Sequence, residues 1–398
     1  MKSRTHIRLI ALSIAVIGML TLAPELRGRS ADGTAFTVHE WGTFTSIAGA
    51  DGRAVRWRTL GGPSDLPSFV SQCGGNLKAG VLGTVRMETP VIYFYSPEEI
   101  TVSAGVDFPE GFISDWFPTP TLKPAAGGVA PGSQFSFSRI SWKNVRVLPH
   151  APADFPTESG ASHYYAARDT DASPLLVGAD SERFLFYRGV GQFAPPLNAR
   201  VQEDGSVVVT SAGAWPVGTV VAFENRNGRV AHRVYRDIGW EHTLMPLAIE
   251  DESEGPAADL AGILVASGLY QKEAEAMVRT WRDSWFEEGS RLFYIAPADV
   301  VNGLLPLTIS PSASSVARVF VGRVELVTPK TRHDVARALE SGNGDAIRPY
   351  ARFLEPIADR ILAETPAIDR SQFARNLATA TAQLGAVTAI PVPPVSCR

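Results

Sequence analysis

The clearest helical pattern lies in residues 268–297, which read GLYQKEAEAMVRTWRDSWFEEGSRLFYIAP. Apolar residues recur there every three or four positions and form one stripe along a helix. The members of the stripe are Tyr270, Ala274, Met277, Trp281 and Trp285. Gly289 fits the left-handed position that follows a helix C-terminus. The pattern therefore predicts an amphipathic helix, a glycine stop and a strand that leaves in a new direction.

Glu288 falls inside this stripe, because a step of about 100° per residue from Trp281 places it about 20° from the stripe's centre. A carboxylate at that point would lie on the core face and at the negative end of the helix dipole. We expect Glu288 to be at least half buried and paired with an arginine, with Arg86 and Arg291 as the preferred partners. A bound metal and a catalytic acid are the alternatives.

Before residue 250 the pattern changes to short alternating segments bounded by turn residues, which is typical of β-strands. Strand patterns cover 35–47, 55–58, 84–95, 100–106, 134–142, 144–148, 183–190, 207–209, 220–225 and 229–235. Asp51-Gly52 and Asn227-Gly228 are hairpin-turn signals. Pro90 implies a bulge or an edge position in its strand. The stretches 61–83, 107–132 and 149–181 read as loops.

After the acidic segment 251–256 helices and strands are mixed. We predict helices at 257–267, from Thr331 to Gly342, at 345–364 and at 371–384, and strands at 291–295, 305–309 and 316–327. The predicted fold class is α+β, with an antiparallel β-sandwich-like region (32–250), an α+β region (256–390) packing on it, and an extended tail (391–398). Alternatively, strands within 292–327 complete the sheets of the first region and give one integrated body.

Composition narrows the class of protein. The chain has 398 residues and a formal net charge of −4. It has no basic run after the N-terminus, so nucleic acid is not an expected partner. Lys2, Arg4 and Arg8 precede the charge-free apolar run 9–23, the layout of a secretory signal. Residues 1–31 are therefore predicted to be a signal peptide or a retained anchor, and the protein to be periplasmic or secreted, touching the membrane only through an uncleaved N-terminal segment.

Cys73 and Cys397 are the only cysteines. In an exported chain two cysteines predict one disulfide, here linking the tail to the N-terminal region. Closing so long a loop would contribute on the order of 5 kcal/mol in the chain-entropy model. Two unpaired thiols are the alternative.

Three carboxylates occupy strand or helix faces that should be buried. Alternation puts Glu40 on the opposite strand face from His39 and Trp41. Glu40, Glu88 and Glu288 are then either buried partners of arginines or catalytic acids assisted by His39. No second histidine stands at a metal-motif spacing, so we predict no metal and no cofactor. Serine-nucleophile and phosphate-loop motifs are also missing from the sequence.

The segment HYYAARDTD combines aromatic and charged residues where the pattern predicts a loop, and binding residues often lie in loops. It contains His163, Tyr164, Tyr165, Arg168 and Asp169. Tyrosines beside an arginine suit stacking on a sugar or contact with an anionic group. A loop packed by its own tyrosines is the alternative. A calcium loop is a poorer match, because a proline replaces the required turn glycine.

Three segments, HEWGTFTS, RMETPVIYFYS and SWFEEGSRLFYI, resemble an uncharacterised group of exported bacterial proteins. The similarity spans the mature chain. It implies export and one recurring architecture. It implies no activity, so no functional residue is transferred from it.

The leading functional hypothesis is an exported protein that binds a carbohydrate or another cell-envelope ligand on an aromatic-lined surface. The expected contact residues are Trp41, Trp116, His163, Tyr164, Tyr165, Arg168 and Asp169. One alternative is a hydrolase that uses two of Glu40, Glu88 and Glu288 with a histidine, His39 or His163, which requires these side chains to meet at one cavity. A second alternative is a structural or assembly protein, which should lack a concave polar pocket.

Overall fold

The structure is a computed structural model that describes residues 35–61, 66–72, 80–124, 137–160, 162–248, 255–364 and 369–388. The predicted signal segment, both cysteines and the tail 391–398 lie outside these residues. Helices make up 28% and strands 40% of the structure. The predicted mixture of α and β elements is therefore confirmed.

Most of the strands lie in the first 250 residues, as their alternating pattern predicts. The strands are β1 (Thr37–Ile47), β2 (Trp57–Arg58), β3 (Ser71–Gln72), β4 (Leu82–Gly83), β5 (Val85–Tyr95), β6 (Ile100–Asp107), β7 (Gly111–Phe117), β8 (Thr121–Pro124), β9 (Phe137–Val147), β10 (Leu175–Val177), β11 (Asp180–Glu182), β12 (Leu185–Gly191), β13 (Leu197–Val201), β14 (Val207–Ser211), β15 (Gly218–Arg226), β16 (Arg229–Ile238), β17 (Glu241–Leu244), β18 (Gly289–Ile295), β19 (Leu307–Ser310) and β20 (Ser315–Leu326).

Within the described ranges the α-helices all follow residue 255. They are α1 (Pro256–Ala266), α2 (Gln271–Trp285), α3 (Ala298–Leu304), α4 (Pro329–Ser341), α5 (Gly344–Ile347), α6 (Leu354–Glu364) and α7 (Arg370–Thr388). Two 3₁₀ helices cover His163–Arg168 and Arg348–Phe353. None of the helices in these ranges is both long and apolar enough to cross a membrane.

One nine-stranded sheet organises the chain, in the order β16-β15-β18-β20-β1-β5-β12-β7-β3. β1 lies in its middle and pairs in parallel with β20 from Thr37↔Ser315 to Ile47↔Glu325. The other pairs of this sheet are antiparallel. Because β18 and β20 come from the second sequence region, strands of both regions contribute to this sheet.

The two faces of the nine-stranded sheet carry separate cores. On one face Phe36, Val38 and Phe44 join a cluster with a second sheet of order β11-β10-β9-β6-β19. On the other face Trp41 joins a cluster with α1 and α2. Helices α4, α6 and α7 form a third core against Ile47 at one end of the sheet. The alternation predicted for β1 is confirmed.

Local backbone signals from the sequence are also confirmed. Asn227 and Gly228 have φ of 54° and 81° in the turn between β15 and β16, so both adopt the positive φ of a type I′ hairpin. The pairing of β5 with β1 shifts register next to Pro90, where Thr89 has φ of 46°. A bulge therefore interrupts a central strand at the predicted proline.

Two kinds of local prediction are wrong. The three stretches that we interpreted as loops all contain strands: β3 and β4 in the first, β7 and β8 in the second, and β10 in the third. Nearly all of β7 is buried, so the strand shows little of the polar–apolar alternation that marks a half-buried strand. Helix α4 begins at Pro329 and not at Thr331, because the Thr328 hydroxyl accepts the Thr331 N–H and caps the helix one turn earlier.

Helix α2 follows its predicted stripe but ends before Glu288. Phe286 is the C-terminal cap, and Gly289, with φ of 115°, is the first residue of β18. The Arg291 guanidinium accounts for the early end, because Nη1 donates to the carbonyls of Trp285 and Glu287. These carbonyls are unpaired where a helix stops, and a buried side chain satisfies them here.

Candidate functional site

The three predicted catalytic carboxylates do not share a cavity. Glu40 is fully buried on the second-sheet face, where Arg318 Nε lies 2.6 Å from Oε2 and the Tyr187 hydroxyl donates to Oε1 at 2.5 Å. Glu88 is fully buried on the other face and binds arginines of its own. These contacts match the interpretation as buried arginine–glutamate pairs.

Glu288 directly precedes β18, so it lies at one end of the nine-stranded sheet. Its side chain is 15% exposed, with Oε1 3.9 Å from Arg226 Nη1. The main-chain N–H of Asn227 donates to Oε2 at 2.7 Å. The predicted burial and the arginine neighbour are both present. The preferred partners, however, were wrong: Arg291 contacts the main-chain carbonyl of Glu288, and Arg86 contacts Glu88.

His39 belongs to a polar cluster that the sequence did not indicate. Its Nδ1 lies 2.6 Å from Oε2 of Glu273, which is fully buried. The Tyr95 hydroxyl donates to the other carboxylate oxygen at 2.8 Å. The Tyr270 ring covers His39, with centroids 4.4 Å apart. Burial, then the charge of Glu273, raises the pKa of Tyr95 far above its usual value. Only 4% of the His39 side chain is exposed, so the contact to Glu273 is buried.

A polar cavity of about 700 Å³ lies next to this cluster, with Tyr95 in its wall. Its polar lining residues are Thr37, Tyr95, Ser96, Thr170, Asp171, Ser173 and Arg183. Alanines and prolines line the remainder of its wall. The volume lies within the range of small-molecule sites. Its lining of hydroxyl groups, one carboxylate and one guanidinium suits a ligand rich in hydrogen-bonding groups.

The cavity's two charged side chains are held in place differently. Arg183 is partly buried, and its Nη1 donates to the carbonyls of Thr170 at 3.1 Å and Ala172 at 2.7 Å. Asp171 is mostly exposed and lies 2.5 Å from Lys272 Nζ on helix α2. Arg183 therefore fixes the loop that forms one wall, whereas Asp171 can exchange its lysine for a ligand.

The predicted ligand-binding segment is a 3₁₀ helix packed by its own tyrosines. The Arg168 guanidinium lies 2.7 Å from Glu182 and 4.9 Å from the centre of the Tyr165 ring. Tyr164 is buried, and its hydroxyl donates to Glu182 at 2.9 Å. Burial raises the pKa of Glu182, although Arg168 opposes the shift. This geometry corresponds to the alternative of a packed segment.

The other predicted contact residues are dispersed. Trp41 and Trp116 are buried in the cores on opposite faces of the nine-stranded sheet. Asp169 lies on the surface 3.3 Å from Arg279, and His163 lies 3.8 Å from Asp283. The aromatic rings chosen from the sequence therefore do not form one exposed stacking surface.

A second charged cluster surrounds the bulge in β5. Thr89, a β-branched residue, has φ of 46°, and such strain often marks functional sites. Beside it Glu88 accepts the Thr45 hydroxyl at 2.9 Å and contacts Arg86 at 3.1 Å and Arg352. Nearby on this face Arg323 and Arg291 share Glu325. The sequence placed Glu88 and Arg86 together but gave no signal for Arg323 or Arg352, which lie far away in the chain.

No protein-family model, curated protein or solved structure matches the chain. Within the ranges that the structure describes, no group of three or more histidine, cysteine, aspartate or glutamate residues is arranged to hold a metal ion. The functional argument therefore depends on the geometry of the cavity and of the two charged clusters.

Proposed function

We propose that this chain is an exported binding protein whose cavity beside Tyr95 takes a hydroxyl-rich ligand of the cell envelope, with carbohydrate as the best match. The single observation that carries the proposal is the cavity of about 700 Å³ with its hydroxyl, carboxylate and guanidinium lining. Sugars are recognised by such convergent polar groups. A purely structural or assembly protein would not require this concavity.

The binding proposal differs from our sequence-based hypothesis in the residues it uses. Asp171 and Arg183 replace Trp41 and Trp116 as the expected ligand contacts, because both tryptophans are core residues. The tyrosine of the cavity wall, Tyr95, supplies an aromatic edge. Its hydroxyl is already bonded to Glu273, so it would contribute its ring and not a free hydroxyl.

The binding test is a titration of the purified chain with a panel of neutral, N-acetylated and acidic mono- and disaccharides, followed by calorimetry. Asp171→Asn should weaken binding at least about tenfold, with an unchanged melting temperature, because its ion pair is exposed. Asp169→Asn is the matched control, since Asp169 forms a similar exposed pair outside the cavity lining. Equal affinity of both variants and the wild type would refute the cavity as the site.

A second candidate function is hydrolysis, favoured by the 2.6 Å contact between His39 and Glu273. A buried carboxylate that holds one ring nitrogen of a histidine orients the other nitrogen for proton transfer. The cavity wall reaches this pair through Tyr95. In this candidate the catalytic carboxylate is Glu273. The carboxylates that we expected from the sequence, Glu40, Glu88 and Glu288, have no role in it.

Turnover separates the two candidates. A hydrolase should cleave chromogenic glycosides, and His39→Gln should abolish cleavage while the variant still binds the same sugars. A binding protein should show no turnover and an unchanged affinity in the same variant.

Export is tested separately, by locating the full chain and a chain lacking residues 1–31 in cell fractions. Equal distribution of both forms would refute the export proposal.

A further inference from the structure

Arg183 is a cation in the wall of the polar cavity, and its guanidinium has only neutral partners. Nη1 donates to the carbonyls of Thr170 and Ala172, and the guanidinium carbon lies 5.5 Å from the centre of the Phe155 ring. The guanidinium makes no further hydrogen bond, ion pair or ring contact within the described ranges. A half-buried positive charge without a counter-charge is stabilised when an anion joins it.

The carboxylates beside this wall have cations of their own. Glu182, next to Arg183 in the chain, is buried and lies 2.7 Å from Arg168. Asp171, the carboxylate of the cavity lining, lies 2.5 Å from Lys272. Each of these two pairs has no net charge. The positive charge of Arg183 is therefore left uncompensated.

The Nη2 atom of Arg183 is available to a ligand. Nε is buried and has no hydrogen-bond partner in the part of the chain that the structure describes. Nη2 makes no hydrogen bond there either, but unlike Nε it is not a buried atom. Nη2 therefore keeps access to solvent on a residue that lines the cavity. It can donate to a bound acceptor while Nη1 still holds the two carbonyls of the wall.

The charge of the lining favours a ligand with one negative charge. A carboxylate carries one negative charge, which matches the single uncompensated guanidinium. A phosphate monoester carries about 1.5 to 2 negative charges at neutral pH, and the excess would lie in a wall that also contains Asp171. The hydroxyl groups of Thr37, Ser96 and Ser173 line the same cavity and suit the hydroxyl groups of a sugar.

We propose that the cavity beside Tyr95 selects an acidic sugar, whose carboxylate accepts a hydrogen bond from Nη2 of Arg183. This selectivity rests on the carbohydrate-binding function proposed above and narrows its ligand to the carboxylate-bearing class. Arg183 is then the residue that determines specificity, because a hydrogen bond between two charged groups is stronger than one between neutral groups. A neutral sugar would use only the hydroxyl and Asp171 contacts and would bind more weakly.

The experiment compares sugars that differ in charge and little else. Glucuronate and galacturonate are titrated by calorimetry beside their uncharged amides, with glucose 6-phosphate as the more highly charged comparison at equal ionic strength. The wild type should bind at least one uronate at least about tenfold more tightly than its amide. In Arg183→Gln this ratio of affinities should fall to about 1, because the charged donor is gone. Arg279→Gln is the matched control, since it removes the same charge from an exposed pair outside the cavity lining and should keep the ratio.

Arg183→Lys supplies the test if Arg183→Gln fails to fold, as judged from its melting temperature. Lysine keeps the charge, but its single ammonium group lacks the planar fork that can hold two carbonyls and a carboxylate together. The ratio of affinities for the uronate and its amide should therefore fall at least about threefold.

Three results would overturn the proposal, and they separate it from the carbohydrate-binding function. Equal affinity of the wild type for each uronate and its amide, or an unchanged ratio in the folded Arg183 variant, would remove the role of Arg183 and leave sugar binding intact. Tighter binding of glucose 6-phosphate than of either uronate would overturn the carboxylate class. Absence of binding by every sugar would refute the carbohydrate-binding function and this selectivity with it.

Discussion

Replacing Arg318 by methionine tests whether the contacts of Glu40 are structural. Glu40 is fully buried between two sheets, and its two neighbours are Arg318 Nε at 2.6 Å and the Tyr187 hydroxyl at 2.5 Å. Arg318→Met leaves the carboxylate with one neutral donor. Breaking a buried pair in this way costs about 3 to 5 kcal/mol. At about 2 °C per kcal/mol for a chain of this size, the melting temperature should fall by about 6 to 10 °C.

The matched control is Arg146→Met. Arg146 also lies on a strand and contacts Glu99 at 2.5 Å, but the two side chains are 48% and 56% exposed. Exposed pairs contribute about 1 kcal/mol or less, so this variant should melt within about 2 °C of the wild type. The comparison isolates burial as the cause, since both pairs are arginine–glutamate contacts with distances that differ by only 0.1 Å.

The double variant Glu40→Met with Arg318→Met completes a mutant cycle. It removes both charges, so the remaining penalty is the unpaired Tyr187 hydroxyl, about 1 to 3 kcal/mol. Denaturant unfolding should therefore show a smaller loss for the double variant than for Arg318→Met alone. Additive losses, or a loss below about 1 kcal/mol for Arg318→Met, would refute the assignment of Glu40 as half of a buried structural pair.

Gly228→Val should lower the free energy of unfolding by about 1 to 3 kcal/mol, measured by denaturant unfolding, because φ there is 81° and valine resists positive φ; an unchanged midpoint would contradict this. Glu288→Gln should lower the free energy of unfolding by less than about 1.5 kcal/mol in the same assay, since Arg226 is 3.9 Å away. A loss of about 3 kcal/mol or more would show instead that Glu288 forms a tight buried ion pair. Burial raises the pKa of Tyr350 to about 12 from 10.0. The neutral Tyr350 hydroxyl therefore contributes fully to the stability of the fold below pH 10, and this contribution is lost as the pH rises to about 12. In Tyr350→Phe the free energy of unfolding should fall less between pH 10 and about 12 than in the wild type, and the same fall in both proteins would contradict this. Mass spectrometry of the non-reduced periplasmic protein should detect a disulfide-linked peptide pair that contains Cys73 and Cys397. Alkylation of both cysteines without prior reduction would contradict the disulfide.

The buried carboxylates show which parts of the candidate sites could be predicted from the sequence. Alternation placed Glu40 and His39 on opposite faces of β1, and the structure agrees. It could not supply their partners, because Arg318 is 278 residues from Glu40 and Glu273 is 234 residues from His39. Glu273 stands near the start of α2, where a glutamate is common as part of an N-terminal cap, so nothing in its context marked it.

The sequence by itself determined features that depend on neighbouring residues. The type I′ turn at Asn227-Gly228, the bulge at Pro90 and the apolar stripe of α2 follow from backbone sterics and from the 3.6-residue repeat. Each of these is specified within a few residues, so the local pattern carries the information. The same holds for the glycine that ends α4 at Gly342 with φ of 64°.

Tertiary structure decided everything that joins distant segments. The parallel pairing of β1 with β20 merges the two sequence regions, and strand alternation contains no information on which strands pair. The end of α2 at Trp285 depends on the Arg291 guanidinium reaching back to its last carbonyls, which helical phase cannot anticipate. The polar cavity arises in the same way, because the segments that line it meet only after the sheet has formed. Burial then fixes the partner of each charge, since an unpaired buried charge is too costly to keep.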